Sequence, residues 1–297
     1  MNKVASRLLV FFIGIPIVIG IVVFPVFNHL PLHILICLMT ATGACELYNL
    51  ASKNYSLLPK KFVVTCATAI AVLATLNYVV PELMGLSFPG GKEFVTFVYI
   101  LTLLGILFLE VFTASSFEKS IERIAISSYI VTYTGFLITF VSRMTVWKIN
   151  GVKISVPAIC IFLLMVFFCD SIAWFMGVLF GRNNRGVVKA SPNKSVMGFI
   201  GGFIGSAMAG SIGFIVWNDI FAGFSCGLAK LIITGLFMAF SSIVGDLAES
   251  VLKRSAEIKD SGELIPGRGG VLDSIDSILI SAPVFYLLFS IFFGPFN

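Results

Sequence analysis

Nine stretches of this chain stay apolar for about twenty residues each, the length of α-helix that crosses a hydrocarbon core of about 30 Å. They are Leu8–Phe27, Leu32–Leu50, Phe62–Val80, Phe94–Ala114, Ile124–Val141, Val156–Phe180, Val196–Trp217, Leu228–Leu252 and Ser274–Phe293. In lipid, every backbone N–H and C=O must find its partner within the protein, so a spanning segment is a helix or part of a closed barrel. The runs lack the alternation of barrel strands. The expectation is an all-α integral membrane protein with about nine transmembrane helices. Composition agrees, because only 12% of the 297 residues are charged, against about a quarter in soluble domains. Mean hydropathy is +1.02.

The first run follows Lys3 and Arg7. It is too long for the apolar part of a signal peptide and no small-residue cleavage site follows, so it reads as a first transmembrane helix. No period of 20 to 50 residues repeats, and no soluble domain or low-complexity linker interrupts the runs. The chain reads as a single polytopic membrane domain over residues 1–297, with residues 1–150 as N-terminal helices.

Orientation follows from the basic residues. One side collects Lys3, Arg7, Lys53, Lys60, Lys61, Lys119, Arg123, Arg182, Arg185, Lys189, Lys194, Lys253, Arg254, Lys259 and Arg268. The other side holds Lys92, Arg143, Lys148, Lys153 and Lys230. The bias places the N-terminus in the cytoplasm. The net charge of +5 is what positive loops beside anionic headgroups produce, and it gives no reason to expect a nucleic-acid partner. The six cysteines lie mostly in apolar runs without CxxC spacing, which supports neither a zinc site nor a disulfide framework.

Ionisable residues inside the runs are the strongest functional signal, since each is costly to insert into lipid. Glu46, Glu110, Asp170 and Asp246 all fall in the cytoplasmic part of their helices under this topology, which suggests a polar cavity opening to the cytoplasm. Glu46 and Glu110 lie close enough to helix ends to reach the interface. Asp170 is about 15 Å from its helix end, at 1.5 Å per residue, too deep for so short a side chain. Asp246, Glu249 and Lys253 share one helix face at i, i+3 and i+7.

Two loops add chemistry. "GRNNRGVVKASPNKSVMGFIGG" places four basic residues with Ser191 and Ser195 just before a helix, and helix N-termini and cationic side chains receive phosphate. The positive-inside rule alone would also make such a loop basic. "SVLKRSAEIKDSGELIPGRGGVLDSIDS", residues 250–277, is more specific. Asp273 and Asp276 stand at i, i+3 where the last helix begins, after a PGxGG turn that lets backbone N–H groups approach a ligand. Carboxylates with nearby cations suit a magnesium ion bridging phosphates.

These residues carry a resemblance. Ser250, Lys253, Arg254, Lys259, Asp260, Pro266, Gly267, Gly269, Gly270, Asp273 and Asp276 resemble, in kind and spacing, the signature of the phosphatidate cytidylyltransferase (CDP-diacylglycerol synthase) family. "GDLAES" (245–250), "CDSIAWFMGVLFG" (169–181) and "SPNKSVMGFIGG" (191–202) are similar to further segments of it. The likeness is sharp from about residue 169 to 277, which makes 156–297 the catalytic part. Three positions depart: Arg268 stands where the family has His, Ser274 where it has Arg, and Met197 where it has Glu.

The resemblance implies a metal-dependent nucleotidyltransferase that converts CTP and phosphatidic acid to CDP-diacylglycerol and pyrophosphate in phospholipid biosynthesis. It implies Asp246, Asp273, Asp276, Lys253 and Arg254 as catalytic residues. Ser191, Lys194, Ser250, Lys259, Arg268, Gly269 and Gly270 would bind CTP or the lipid phosphate. Asp246, Asp260, Asp273 and Asp276 would hold Mg2+, with room for a second, monovalent cation, and Asp170 and Glu249 would support them. A homodimer and a place in the inner membrane of a bacterium are further implications. A CTP-dependent polyprenol kinase, a non-catalytic lipid-binding descendant and a transporter remain open alternatives at this level.

Overall fold

The computed structural model describes residues 14–86, 91–265 and 269–294. The expected first span extends outside these residues, as do Lys3, Arg7, Pro266, Gly267 and Arg268. The helices are α1 (Ile15–Val23), α2 (Leu30–Ala51), α3 (Lys60–Met84), α4 (Phe94–Thr113), α5 (Ser120–Met144), α6 (Ser155–Phe180), α7 (Val196–Val216), α8 (Asn218–Phe221), α9 (Gly227–Ser255) and α10 (Leu272–Phe293). Among the described residues the only strands are a two-residue pair, Lys148–Ile149 with Val152–Lys153. Among the described residues, eight helices, α2 to α7 with α9 and α10, are long and apolar enough to cross a membrane. They correspond to the second to ninth expected runs, with ends displaced by at most four residues.

The chain divides into two compact units: Met1–Thr145 with Ser255–Ile275, and Val146–Arg254 with Asp276–Asn297. The stretch that resembles the family signature is therefore shared between them. Each unit has its own way of bringing helices together.

In the first unit, α2 and α3 form the main helix pair and α5 lies against α3. The middle of α5, Val131–Phe136, winds as a π-helix. Gly135 explains the close approach, because a Cβ there would lie 2.9 Å from both Cα and O of Ala67 on α3. The extra residue of a π turn is accommodated inside a continuous helix. On the neighbouring hairpin, Arg123 Nε donates to both carboxylate oxygens of Glu110 at 3.0 Å, and its Nη2 reaches Ser116 O at 2.6 Å. Arg123, counted with a loop in the sequence, thus belongs to the first turn of α5 and ties that turn to the end of α4.

In the second unit, glycines of α7 set the packing. Between helices in lipid there is little hydrophobic gain, so close van der Waals contact does most of the work. A Cβ at Gly201 would lie 2.7 Å from Ile172 O on α6, and one at Gly210 would lie 2.6 Å from Leu231 O on α9. α7 is thus gripped on both sides. Gly245 on α9 meets α10 in the same way, 2.7 Å from Asp276 O. Hydroxyls complete that seam: Ser277 Oγ donates to Ser242 O at 3.1 Å, and Ser241 Oγ to Ser281 Oγ at 3.1 Å. At the other end of α10, Phe285 and Phe289 stack on Trp147.

Candidate active site

The second unit holds a cavity of about 410 Å³ lined by both charged and apolar side chains. Asp170 from α6, Arg185 and Lys194 from the loop 181–195, and Asp246 from α9 supply charge. Trp174 of α6 and Phe199 of α7 supply apolar surface. A volume of this size lies within the usual range for small-molecule sites, about 300–1,000 Å³.

Lys194 reaches the cavity because its loop is folded on itself. Gly186 N donates to Pro192 O at 3.0 Å and to Lys194 O at 3.3 Å, and Lys194 N donates to Ser191 O at 3.1 Å. Val196 N donates to Asn184 O at 3.0 Å, which closes the loop on the start of α7. Ser195 caps that helix by accepting from Gly198 N at 3.0 Å, as serine commonly does at this position. Gly181 is required here, since a Cβ would lie 2.8 Å from Ser195 Cβ. From the end of α9, Arg254 Nε donates to Ala190 O at 3.4 Å. Held this way, Lys194 forms an ion pair with Asp246.

The remaining expected residues of this unit lie on α9, α10 and the loop. Glu249 is only 1% exposed and pairs with Lys253 at 2.5 Å, one helical turn later. Asp276 is buried, with Oδ1 accepting from Ser277 N at 2.6 Å. Ser191 and Ser250 are half-buried. Met197, the departure without a carboxylate, sits in the first turn of α7, where its N–H points to Asn184 Oδ1 at 3.5 Å.

The first unit holds Lys259, Asp260, Gly269, Gly270 and Asp273. Lys259 and Asp260 are exposed. Ile265 and Gly269 pair with each other, with N–H···O distances of 2.8 and 3.1 Å. Asp273 Oδ2 accepts from Ser261 N at 2.9 Å, Ser261 Oγ at 2.8 Å and Gly270 N at 2.8 Å. The N–H groups of Gly269 and Gly270, which the turn's composition offered to a ligand, are bonded within the unit. Ser274, where the family has Arg, donates its hydroxyl to Gly270 O at 3.4 Å. Arg268 lies outside the described residues.

Sequence reasoning gave Glu46 no role in this loop, yet its carboxylate accepts from Val271 N and Leu272 N. The available signal was its depth, five residues before the end of an apolar helix. Nothing local distinguishes it from Glu110, which holds an arginine instead. Ser261 and Asn184 were also not singled out, since single polar residues in polar loops carry no periodic signal.

Among the described residues, no three His, Cys, Asp or Glu side chains gather closely enough to hold a metal by themselves. Magnesium needs less, since it binds through one or two carboxylates completed by phosphate oxygens and water. Asp170 and Asp246 line the same cavity, so their hard oxygens fit an ion completed by a phosphorylated substrate.

The family model described as "Cytidylyltransferase family" matches residues 5–292. Among curated relatives, the phosphatidate cytidylyltransferase of Thermotoga maritima is 40% identical over 125 residues, 42% of this chain and 46% of that protein. The phosphatidate cytidylyltransferase of Haemophilus influenzae is 39% identical over 122 residues, 41% of this chain and 42% of the relative. That of Bacillus subtilis is 37% identical over 123 residues, 41% of this chain and 44% of the relative. The matched segment spans less than half the length of each.

Proposed function

We propose, from the premise that this chain belongs to the cytidylyltransferase family, that it transfers the cytidylyl group of CTP to phosphatidic acid. The products are CDP-diacylglycerol and pyrophosphate. One observation carries this reading: Asp170, Lys194 and Asp246 share a cavity with Trp174 and Phe199. A substrate that carries both polyanionic and lipid parts matches such a mixed lining.

A phosphate oxygen of phosphatidic acid attacks the α-phosphorus of CTP, and the bond from that phosphorus to the oxygen bridging to the β-phosphorus breaks. The nucleophile is already anionic near neutral pH, so no general base is needed. The protein must align two anions and stabilise the charge that builds on the departing pyrophosphate. Lys194 is the cation in the cavity suited to that charge, with Arg185 beside it. Asp170 and Asp246 would hold a magnesium ion, which when bound lowers the repulsion between the two substrates. Lys194 can release Asp246 and turn to phosphate, since its present partner is another flexible side chain. The cavity then faces the cytoplasm, where CTP is found, in the inner membrane of a bacterium.

The test uses purified protein in detergent with short-chain phosphatidic acid, magnesium and CTP labelled at the α-phosphate. Label in the lipid with one pyrophosphate released per turnover is the expected result. Release of CDP, with the γ-phosphate moved to an alcohol, would overturn it in favour of a lipid kinase.

A further inference from the structure

Glu46 lies near the end of an apolar helix, where an acid ordinarily reaches for headgroups or water. Its carboxylate instead turns to residues more than two hundred positions later. Oε1 accepts from Val271 N at 3.0 Å, and Oε2 accepts from Leu272 N at 2.8 Å and Ser261 Oγ at 3.4 Å. Val271 and Leu272 open α10, where N–H groups lack helical partners and negative charge complements the helix dipole. Asp273, from within α10, shares Ser261 with Glu46 and holds Ser261 N, Ser261 Oγ and Gly270 N. Hydrogen bonds to an ionised acceptor are roughly twice as strong as neutral ones.

The glycines of this loop record the same arrangement independently. A Cβ at Gly270 would lie 2.5 Å from Glu46 Oε2, and a Cβ at Gly262 would collide with Glu46 Oε1. At Gly269, φ is +107°, and a Cβ would lie 2.6 Å from Asp273 Oδ2. These positions are glycine because two carboxylates fill the space that side chains would take. The conformation of residues 261–265 and 269–272 thus depends on an acid from the second helix as well as on its own sequence.

We propose that Glu46 is a positioning residue for cytidylyl transfer, fixing the glycine-rich loop that resembles the family signature. It touches no substrate and acts through Ser261, Val271 and Leu272. This inference rests on the transferase reading above.

Glu46→Gln tests it. The amide keeps the size of the side chain but presents an NH2 group to one of the backbone donors. The expected result is amide hydrogen exchange about tenfold faster at Ser261, Gly270, Val271 and Leu272, together with a kcat per CTP-binding site about tenfold lower. Exchange within α7 should not change, and Glu110→Gln should move neither the loop's exchange nor kcat. Unchanged exchange in Glu46→Gln overturns the clamp, and faster exchange with an unchanged kcat overturns its role in the reaction. Should Glu46→Gln fail to fold, Gly262→Ala displaces the same carboxylate from the loop side and is read by the same two measurements. Absence of transfer by the unmodified protein would strike the transferase reading, while its exchange pattern would still report on the clamp.

Discussion

The acids of the two units keep different company. In the second unit, Asp246 faces the ammonium of Lys194 at the edge of a cavity, and the two side chains retain 38% and 25% exposure. In the first, Glu46 and Asp273 face backbone N–H groups of a loop. A lysine side chain can leave a carboxylate by rotating about its own bonds. A backbone amide leaves only when the loop changes conformation. Acids of the first kind can change partner by side-chain rotation alone, whereas acids of the second kind hold a conformation of their own loop. Charge inside a membrane is costly in both places, so each unit keeps its acids for a purpose that apolar packing cannot serve.

The sharpest way to break this comparison is Asp246→Asn. Transfer should fall by about a thousandfold, near the upper range for removing one charged or hydrogen-bonding group aimed at the reacting centre. The thermal midpoint should move little, since an exposed ion pair contributes about 0–1 kcal/mol. An active Asp246→Asn protein would remove the cavity from the mechanism.

Lys194→Ala should lower transfer by about a hundredfold, again with little loss of stability, because the ammonium is lost from the wall while Asp246 remains. Lys194→Arg should recover part of the rate, as charge is kept but the donor geometry changes. Equal rates in the Ala and Arg variants would show that the ammonium does not meet substrate.

Gly269→Ala sharpens the other side of the comparison. Its φ of +107° and the 2.6 Å approach to Asp273 Oδ2 leave no room for a methyl group. A loss of more than about 1 kcal/mol is expected from backbone strain of this kind. It should be read as a lower unfolding midpoint and faster exchange at Ser261 and Gly270. Exchange identical to the unmodified protein would mean that Asp273 does not hold the loop.

The smallest effect belongs to Glu110→Gln. The charge opposite Arg123 is lost while an amide oxygen remains to accept from it, so the midpoint should fall by a few degrees and kcat should stay within about twofold. That outcome fits an arginine that keeps an acceptor at the buried position of Glu110 and retains 20% exposure of its own.

The helices were legible because lipid imposes a length and an apolar composition that no loop shares. Even α3, with its Pro81 near the C-terminal end, was found by hydropathy alone. The π turn of α5 was not legible, since it answers to Gly135 lying on Ala67 of another helix. The meeting of Asp170, Lys194 and Asp246 was half legible: sequence singled out all three, and folding of the loop 181–195 brought the lysine to the acids. The glycines near 270 read in sequence as openings toward a ligand. Their chemistry allows either that or a close-packed carboxylate, and the sequence does not show that Glu46 and Asp273 lie against them.

By itself, the sequence determined an all-α protein of the membrane, the helices that span it and the set of charged residues from which a phosphate site could be drawn. Those properties depend on the solvent each residue prefers and on spacing along a single helix. Tertiary structure decided which acid holds a lysine and which holds the backbone. It also decided that a signature of 28 residues is divided between two units. Hydrogen-bond partners across two hundred residues are chosen by packing, and packing leaves no periodic trace in the chain.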